Sequence, residues 1–200
     1  MFTGIVRELG TAVSARRSGG LLTLRVHAPR TASMVAVGES VAINGVCLSV
    51  VSSRQSVLIF EVIPETQRLT ALGQLMAGSP VNVEPSLSLT DRLNGHLVLG
   101  HIDGVGRILR RTQKADEVAL QIQSPPVVHR YLAPKGPIAV DGVSLTVGAP
   151  VSPRAFAVFL IPETLQKTTL GARKAGDLVN LEVDYLAKLV SQSANHRQKQ

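Results

Sequence analysis

The chain is written twice. Residues 41–50, VAINGVCLSV, return as IAVDGVSLTV at residues 138–147, which sets Gly45 and Gly142 97 positions apart. IPET at 63–66 returns 98 positions on at 161–164, and Thr70, Leu72 and Gly73 return as Thr168, Leu170 and Gly171 at the same spacing. VNVE at 81–84 returns as VNLE at 179–182, again 98 apart, and Gly4-Ile5-Val6 has a looser echo in Gly104-Val105-Gly106. A near-constant offset over separate blocks predicts two copies of one fold. Two copies are too few for a solenoid, whose units need about three or more to bury a shared core. Two homologous domains of roughly 90 to 100 residues fit the length instead. The boundary is expected in the stretch 85–95, where Pro, Ser, Asp and Asn cluster between apolar runs. That division makes residues 1–94 one barrel, 95–184 the other, and 185–200 a C-terminal helix and basic tail.

Within each copy the pattern is that of short strands. Residues 21–26, 57–62, 118–122 and 157–161 are brief runs rich in Val, Ile, Leu and Phe. Asn44-Gly45 and Asp141-Gly142, each flanked by β-branched residues, predict tight hairpins. Many short strands punctuated by Gly, Pro and Asn point to an all-β barrel or sandwich, and closure into a barrel also removes exposed edges. Helices are expected only at 29–36, at its counterpart 126–132, and at 185–193, where Leu186, Leu189 and Val190 share a helical face. The last has no place in either core, so an association role suits it.

Composition excludes several classes. Apolar residues make up 44 %, enough for a core, and charged residues only 18 %, too few for a typical disordered chain. The net charge of +7 invites a nucleic-acid reading, but the basic residues are scattered and aromatics are 3 % with no Trp, so a base-stacking platform is poorly supplied. No nucleic-acid partner is expected. No apolar run approaches the ~20 residues of a membrane span, and no secretory leader is visible at the start of the sequence. The single cysteine, Cys47, allows no internal disulfide and suits a reducing compartment. A cytoplasmic protein without membrane contact is the expectation.

The blocks resemble the riboflavin synthase family of doubled lumazine-binding barrels. MFTGIV at 1–6, NGVCLSV at 44–50, GHLVLGHIDG at 95–104, Lys135-Gly136 followed by DGVSLTV at 141–147, and the doubled IPET together carry the resemblance, which covers about residues 1–190. Any one motif alone is weak; the set is specific. The resemblance implies two similar six-stranded antiparallel Greek-key barrels followed by a C-terminal helix. It also implies a homotrimer through those helices and a cofactor-independent transferase. Two molecules of 6,7-dimethyl-8-ribityllumazine would exchange a four-carbon unit, one barrel of one subunit facing the other barrel of a second.

That chemistry suits a doubled protein. Two matched pockets hold two copies of one molecule in opposed orientation, and orientation alone supplies on the order of 7–11 kcal/mol. The lumazine ring is its own electron sink, so no metal or redox cofactor is required.

The resemblance also assigns roles. Cys47, where the second copy has Ser144, matches a family site position, and a thiol is a better nucleophile than a hydroxyl near neutral pH; from the residues alone, a buried structural thiol accounts for it as well. Ser40, just before the same strand, matches an active-site serine, and His101 is the candidate proton carrier. His96 reads as structural. Phe2 and Thr3 match an amino terminus packed on substrate, and Gly4, Ile5 and Val6 allow close approach to a flat ring. Leu48 with Ser49, and Leu145 with Thr146, form matched wall positions, their hydroxyls suited to a pteridine edge. Glu61, Val62, Ile63, Pro64, Glu65 and Thr66 answer Phe159, Leu160, Ile161, Pro162, Glu163 and Thr164. Gly100 and Ile102 flank His101, and Lys135 is placed to reach the ribityl chain or ring from a neighbouring barrel. The alternative is a non-catalytic lumazine- or flavin-binding protein on the same fold. A flavin reductase barrel is disfavoured, because no α/β nucleotide half with a Gly-rich loop is present.

Overall fold

The computed structural model describes residues 1–114, 117–148 and 150–197; the end of the basic tail, 198–200, lies outside the described residues. In the first half β1 (Glu8–Ser18), β2 (Leu21–His27), β3 (Ser40–Ile43), β4 (Val46–Arg54), β5 (Val57–Val62) and β6 (Pro80–Pro85) close into an antiparallel barrel. Their order, β1-β2-β5-β4-β3-β6, is a Greek key. In the second half β7 (Gly104–Lys114), β8 (Glu117–Gln123), β9 (Pro137–Val140), β10 (Val143–Thr146), β11 (Pro150–Ser152), β12 (Ala155–Leu160) and β13 (Leu178–Val183) form one seven-stranded sheet. Its order, β10-β9-β13-β7-β8-β12-β11, repeats the first. The expected six strands become seven because the counterpart of β4 is in two pieces. β4 passes its irregularity as a bulge between Val50 and Ser52. In the second half β10 ends at Thr146, and Gly148 N–H donates to the Ala157 carbonyl on β12.

Local chemistry explains the elements. β2 buries Leu22, Leu24 and Val26 on alternate positions, and β8 buries Val118, Leu120 and Ile122. The two-residue hairpins have Asn44 at φ 46° with Gly45 at 79°, and Asp141 at 47° with Gly142 at 75°. These are type I′ turns, which match strand twist. They fix register, so that Cys47 pairs with Ala42 and Ser144 with Ala139. IPET is a helix start. Proline sits at the first turn of α2 (Pro64–Leu69) and of α4 (Pro162–Lys167), after an extended Ile63 or Ile161. Thr70 and Thr168 then accept from Leu72 N–H and Leu170 N–H to cap a 3₁₀ turn. The short helices α1 (Pro29–Ala32) and α3 (Pro126–His129) stop sooner than the periodicity predicts. α5 (Tyr185–Arg197) runs further than predicted, through the polar tail.

Each barrel has its own core, one around Leu24, Ile43, Leu58 and Phe60, the other around Ile122, Ile138, Val140 and Phe156. Burying each such side chain contributes about 2–3 kcal/mol. Between them lies a third cluster of Phe2, Ala42, Val98 and Ala139, with Cys47 against it. Phe2 and Val98 exchange backbone hydrogen bonds of 2.7 and 3.1 Å, so the chain start and the interbarrel segment run antiparallel along the seam. A polar clasp holds the halves together. Asn82 Nδ2 donates to the Asp141 carbonyl and Asn180 Nδ2 to the Asn44 carbonyl, both at 2.8 Å. Asn82 Oδ1 accepts from Thr169 N–H and Asn180 Oδ1 from Ala71 N–H, both at 2.7 Å. Both asparagines are buried and bonded across the seam, so the clasp specifies one relative orientation of the barrels. Arg173, bonded to Asp141 at 2.8 Å, has no counterpart on the Asn44 side of the clasp among the described residues.

Candidate functional site

The chain start and the interbarrel segment are laid on opposite barrels. The Gly4 carbonyl accepts from Ser144 N–H of β10 at 2.8 Å, and the Gly100 carbonyl accepts from Cys47 N–H of β4 at 3.0 Å. Both glycines are left-handed, at φ 75° and 79°. A Cβ on Gly4 would lie 2.7 Å from Ser144 Cβ, and one on Gly100 2.6 Å from Cys47 Cβ. Val6 accordingly packs on the second core and Ile102 on the first. The structural partner of Gly4 is therefore Gly100, and the sequence echo at Gly104 is coincidental.

Two buried glutamates hold these segments. Glu84 on β6 accepts from Thr3 N–H at 2.8 Å, Thr3 Oγ1 at 2.7 Å and Gly4 N–H at 3.1 Å. Glu182 on β13 accepts from Leu99 N–H at 2.7 Å and Gly100 N–H at 2.9 Å. Burial raises the Glu84 carboxyl against the pull of its donors. Burial, with Asp103 adding to it, pushes Glu182 up to about 7, against its two N–H donors and Lys188. A carboxyl raised on folding binds its proton more tightly in the native state. Its stabilisation is fully present below about pH 4.5 and is lost as pH rises through about 7. The native protein is expected to lose about 3 kcal/mol between those limits relative to Glu182→Gln. Urea unfolding from pH 4.5 to 8 checks this; parallel stability profiles for the two proteins would contradict it.

Beside the Gly4 segment opens a cleft of about 730 Å³, lined by Gly4, Ile5, Val6, Arg7, Glu8 and Leu9, by Val143 and Ser144, by Arg30 of α1, and by Ile161, Glu163, Thr164, Gln166, Lys167 and Thr168. That volume suits a cofactor-sized ligand. Seven residues singled out from the sequence meet here: Gly4, Ile5, Val6, Ser144, Ile161, Glu163 and Thr164. Ile161 is 60 % exposed, an apolar side chain presented at the mouth. Glu163 is paired with Lys167 at 2.6 Å, which lowers its carboxyl, and Thr164 turns its carbonyl to Thr168 Oγ1 at 2.7 Å. Pro162 begins α4 behind them.

His96 adds a group that sequence reasoning treated as structural. Its Nδ1 lies 2.7 Å from Ser144 Oγ, at the cleft wall. Desolvation lowers the imidazole below the ordinary histidine range, partly offset by Asp184, so the ring is a neutral base at neutral pH. Its Nε2 is buried without a partner among the described residues.

The remaining candidates fall into two sets. Around Cys47, Ser40 pairs with Ser49 across β3 and β4, His101 is exposed and follows the glycine that touches the thiol residue, and Ile63 is 53 % exposed. Pro64, Glu65 and Thr66 lie on α2, with Glu65 bonded to Arg68 at 2.6 Å. Glu61 is exposed on β5. Within this set Cys47, Gly100, His101, Ile102, Ile63, Glu65 and Thr66 mirror the cleft residues Ser144, Gly4, Ile5, Val6, Ile161, Glu163 and Thr164, whereas the counterparts of Ser40, Ser49 and Glu61 lie outside the cleft. The other set faces elsewhere. Phe2, Thr3, Leu48, Val62 and Leu160 are buried in the seam or the cores, and Leu145 packs on the second core. Thr146 is exposed at the end of β10, and Phe159 is 49 % exposed on β12 with its ring against Gly148. Lys135 is an exposed turn residue at φ 68°, donating its N–H to the Val147 carbonyl, and is not among the cleft residues. Sequence reasoning did not select Glu84, Glu182, Arg7 or Arg30. The doubled VNVE and VNLE did carry the signal for the glutamates: a charged residue kept twice within an otherwise apolar strand.

Comparison with known proteins agrees with this architecture. The Lumazine binding domain matches residues 3–86 and again 99–184. The chain is 42 % identical over 193 residues to the riboflavin synthase of Mycobacterium bovis, covering 95 % of this chain and 96 % of that one. It is 38 % identical over 192 residues to the riboflavin synthase of Actinobacillus pleuropneumoniae, covering 96 % and 89 %. The fold is that of LumP, solved in complex with 6,7-dimethyl-8-(1'-D-ribityl) lumazine, with a TM-score of 0.82 at 24 % identity over 92 % of this chain and 99 % of LumP. Among the described residues no helix is long and apolar enough to cross a membrane. With the domain matched twice and such identity over nearly its whole length, the chain belongs to the riboflavin synthase family.

Proposed function

We propose that the chain is an enzyme that catalyses the riboflavin synthase reaction. Two molecules of 6,7-dimethyl-8-ribityllumazine react; one gives up four carbons and leaves as 5-amino-6-(ribitylamino)uracil, and the other becomes riboflavin. The observation that carries this is the pair of register-matched seats, Gly4 on Ser144 and Gly100 on Cys47, one on each barrel. Each unit, residues 1–94 and 95–184, holds one lumazine. In the second-barrel cleft the 730 Å³ space beside Gly4, Ile5 and Val6 takes the ring, with Ile161 over its face and Thr164 at its edge. The reaction begins with loss of a proton from the 7-methyl group, whose carbanion spreads into the ring. The neutral His96 imidazole, bonded to Ser144 Oγ, is placed to move that proton, a contribution of about 10²- to 10⁴-fold. On the first barrel Cys47 and Ser40 activate the second ring and His101 carries protons. Ser49, Glu65 and Thr66 hold it, and Lys135 reaches it from a neighbouring barrel.

The chemistry needs two opposed ligands, and the first- and second-barrel seats of one chain lie on different barrels. Facing seats are supplied by assembly. We infer a homotrimer joined through α5, on which Leu186, Leu189 and Val190 are 58 %, 42 % and 69 % exposed. One cysteine and a biosynthetic role support a cytoplasmic location.

Incubating the protein with 6,7-dimethyl-8-ribityllumazine and following riboflavin fluorescence tests the reading. Cys47→Ser is expected to bind lumazine with little change and to turn over at least about 10²-fold more slowly. No riboflavin from folded protein that still binds lumazine would favour a non-catalytic binding protein, and unchanged turnover in Cys47→Ser would remove the thiol from the mechanism.

A further inference from the structure

The charges around the second-barrel cleft are unevenly committed. Arg7 and Arg30 line both the 730 Å³ cleft and an adjoining cavity of about 520 Å³. Every carboxylate of these two cavities is already bonded. Glu8 accepts from Arg30 N–H at 3.0 Å and from Thr31 N–H and Oγ1 at 2.7 Å. Glu163 is held by Lys167, Glu84 by Thr3 and Gly4, Asp91 by Ser88, and Glu39 by Ala36 N–H. The two guanidiniums are bonded to none of them, although Arg7 acts through space on Glu84 and Asp91. Among the described residues neither is in an ion pair, and Arg30 Nη1 reaches only the Arg7 carbonyl, at 3.3 Å. The first barrel lacks this feature. With Gly4 matched to Gly100, Arg7 corresponds to Asp103, which is tied to Lys188 at 2.6 Å and Val183 N–H at 2.9 Å. With Pro29 matched to Pro126, Arg30 corresponds to Val127.

We propose that the second-barrel cleft selects ligands whose polyol ends in a phosphate, the chemistry of riboflavin 5′-phosphate, and that Arg7 and Arg30 are the residues that bind the phosphate. This rests on the assignment of the cleft as a ring-and-polyol seat. Guanidinium presents a planar fork of donors that matches a phosphate edge. The cleft has room for a ring, a polyol and a terminal anion. The lumazine substrate ends in a hydroxyl, so the two arginines contribute little to its binding. A phosphorylated flavin formed downstream would compete at this one seat, and the first barrel would not distinguish it from riboflavin.

Equilibrium dialysis of the full chain against riboflavin and riboflavin 5′-phosphate tests this. At about 20 mM salt, one site per chain is expected to bind the phosphate ester about fivefold tighter than riboflavin, and at about 0.5 M salt the preference should shrink below about twofold. Arg7→Gln/Arg30→Gln should abolish the preference while leaving riboflavin affinity within about twofold, and Arg7→Lys/Arg30→Lys should retain part of it. Inorganic phosphate should weaken the ester and not riboflavin. If riboflavin binds but the ester has no advantage, or if the advantage survives in Arg7→Gln/Arg30→Gln, the selectivity proposal is overturned and the seat stands. If neither flavin nor lumazine binds folded protein, the seat itself is wrong.

Discussion

Gly100→Ala is expected to lose about 3–5 kcal/mol of stability and to turn over at least about 10²-fold more slowly. Two costs combine. The residue is at φ 79°, where an alanine is strained by roughly 1 kcal/mol. The new methyl would also lie 2.6 Å from Cys47 Cβ and 2.8 Å from Cys47 N, so the segment must lift off β4. Lifting breaks the 3.0 Å bond from Cys47 N–H and the 2.9 Å bond to Glu182, and leaves that buried carboxyl one donor short. Gly38→Ala separates the two costs. That residue is at φ 91° with nothing within 4 Å of a new Cβ, so it meets the strain alone. Urea unfolding of both variants, with lumazine turnover in parallel, gives the comparison. Equal stability in the two would mean that the Gly100–Cys47 approach is not tight.

Ser144→Ala and His96→Asn are each expected to cut turnover by about 10²- to 10³-fold, and the double variant by little more than either. A serine and a histidine that pass one proton act as a unit, so removing either removes both. Ser144 lines the cleft, and His96 stands behind it with Nδ1 2.7 Å from Ser144 Oγ. The pH profile carries a second signature. Desolvation holds the His96 imidazole neutral to lower pH than an ordinary histidine, so the acid limb of kcat should fall below the usual histidine range and disappear in His96→Asn. Additive losses in the double variant, or an acid limb that survives without His96, would point to a structural role.

Much of the fold was legible because it is local and doubled. The Asn-Gly and Asp-Gly turns dictate hairpin register within six residues, and the register puts Cys47 and Ser144 at equivalent positions. β1 and β7 were not legible. Their buried positions are small or few, Gly10 and Ala12 in one and Gly106 and Ile108 in the other, and their ends carry Arg16, Arg17, Arg110 and Arg111. Such strands are held by neighbours on both sides more than by their own pattern. The expected Gly104 echo misled for a related reason: Gly4 and Gly100 share a conformation imposed by contact, while the residues around them differ.

The candidate site divides the same way. Its residue types were visible, since resemblance attaches to short motifs. Its assembly was not, because the bonds that build it join residues about fifty or more apart, as from His96 to Ser144, from Cys47 to Gly100 and from Thr3 to Glu84, and nothing along the chain encodes such pairs one at a time.

By itself the sequence determined a twice-used β-fold with two matched hairpins, because turn geometry and strand alternation depend on neighbours a few residues away. The tertiary structure alone decided that each entering segment lies on the opposite barrel, that two buried carboxylates hold those segments, and that His96 meets Ser144. These depend on how close two separately folded surfaces come once the seam between them has excluded water.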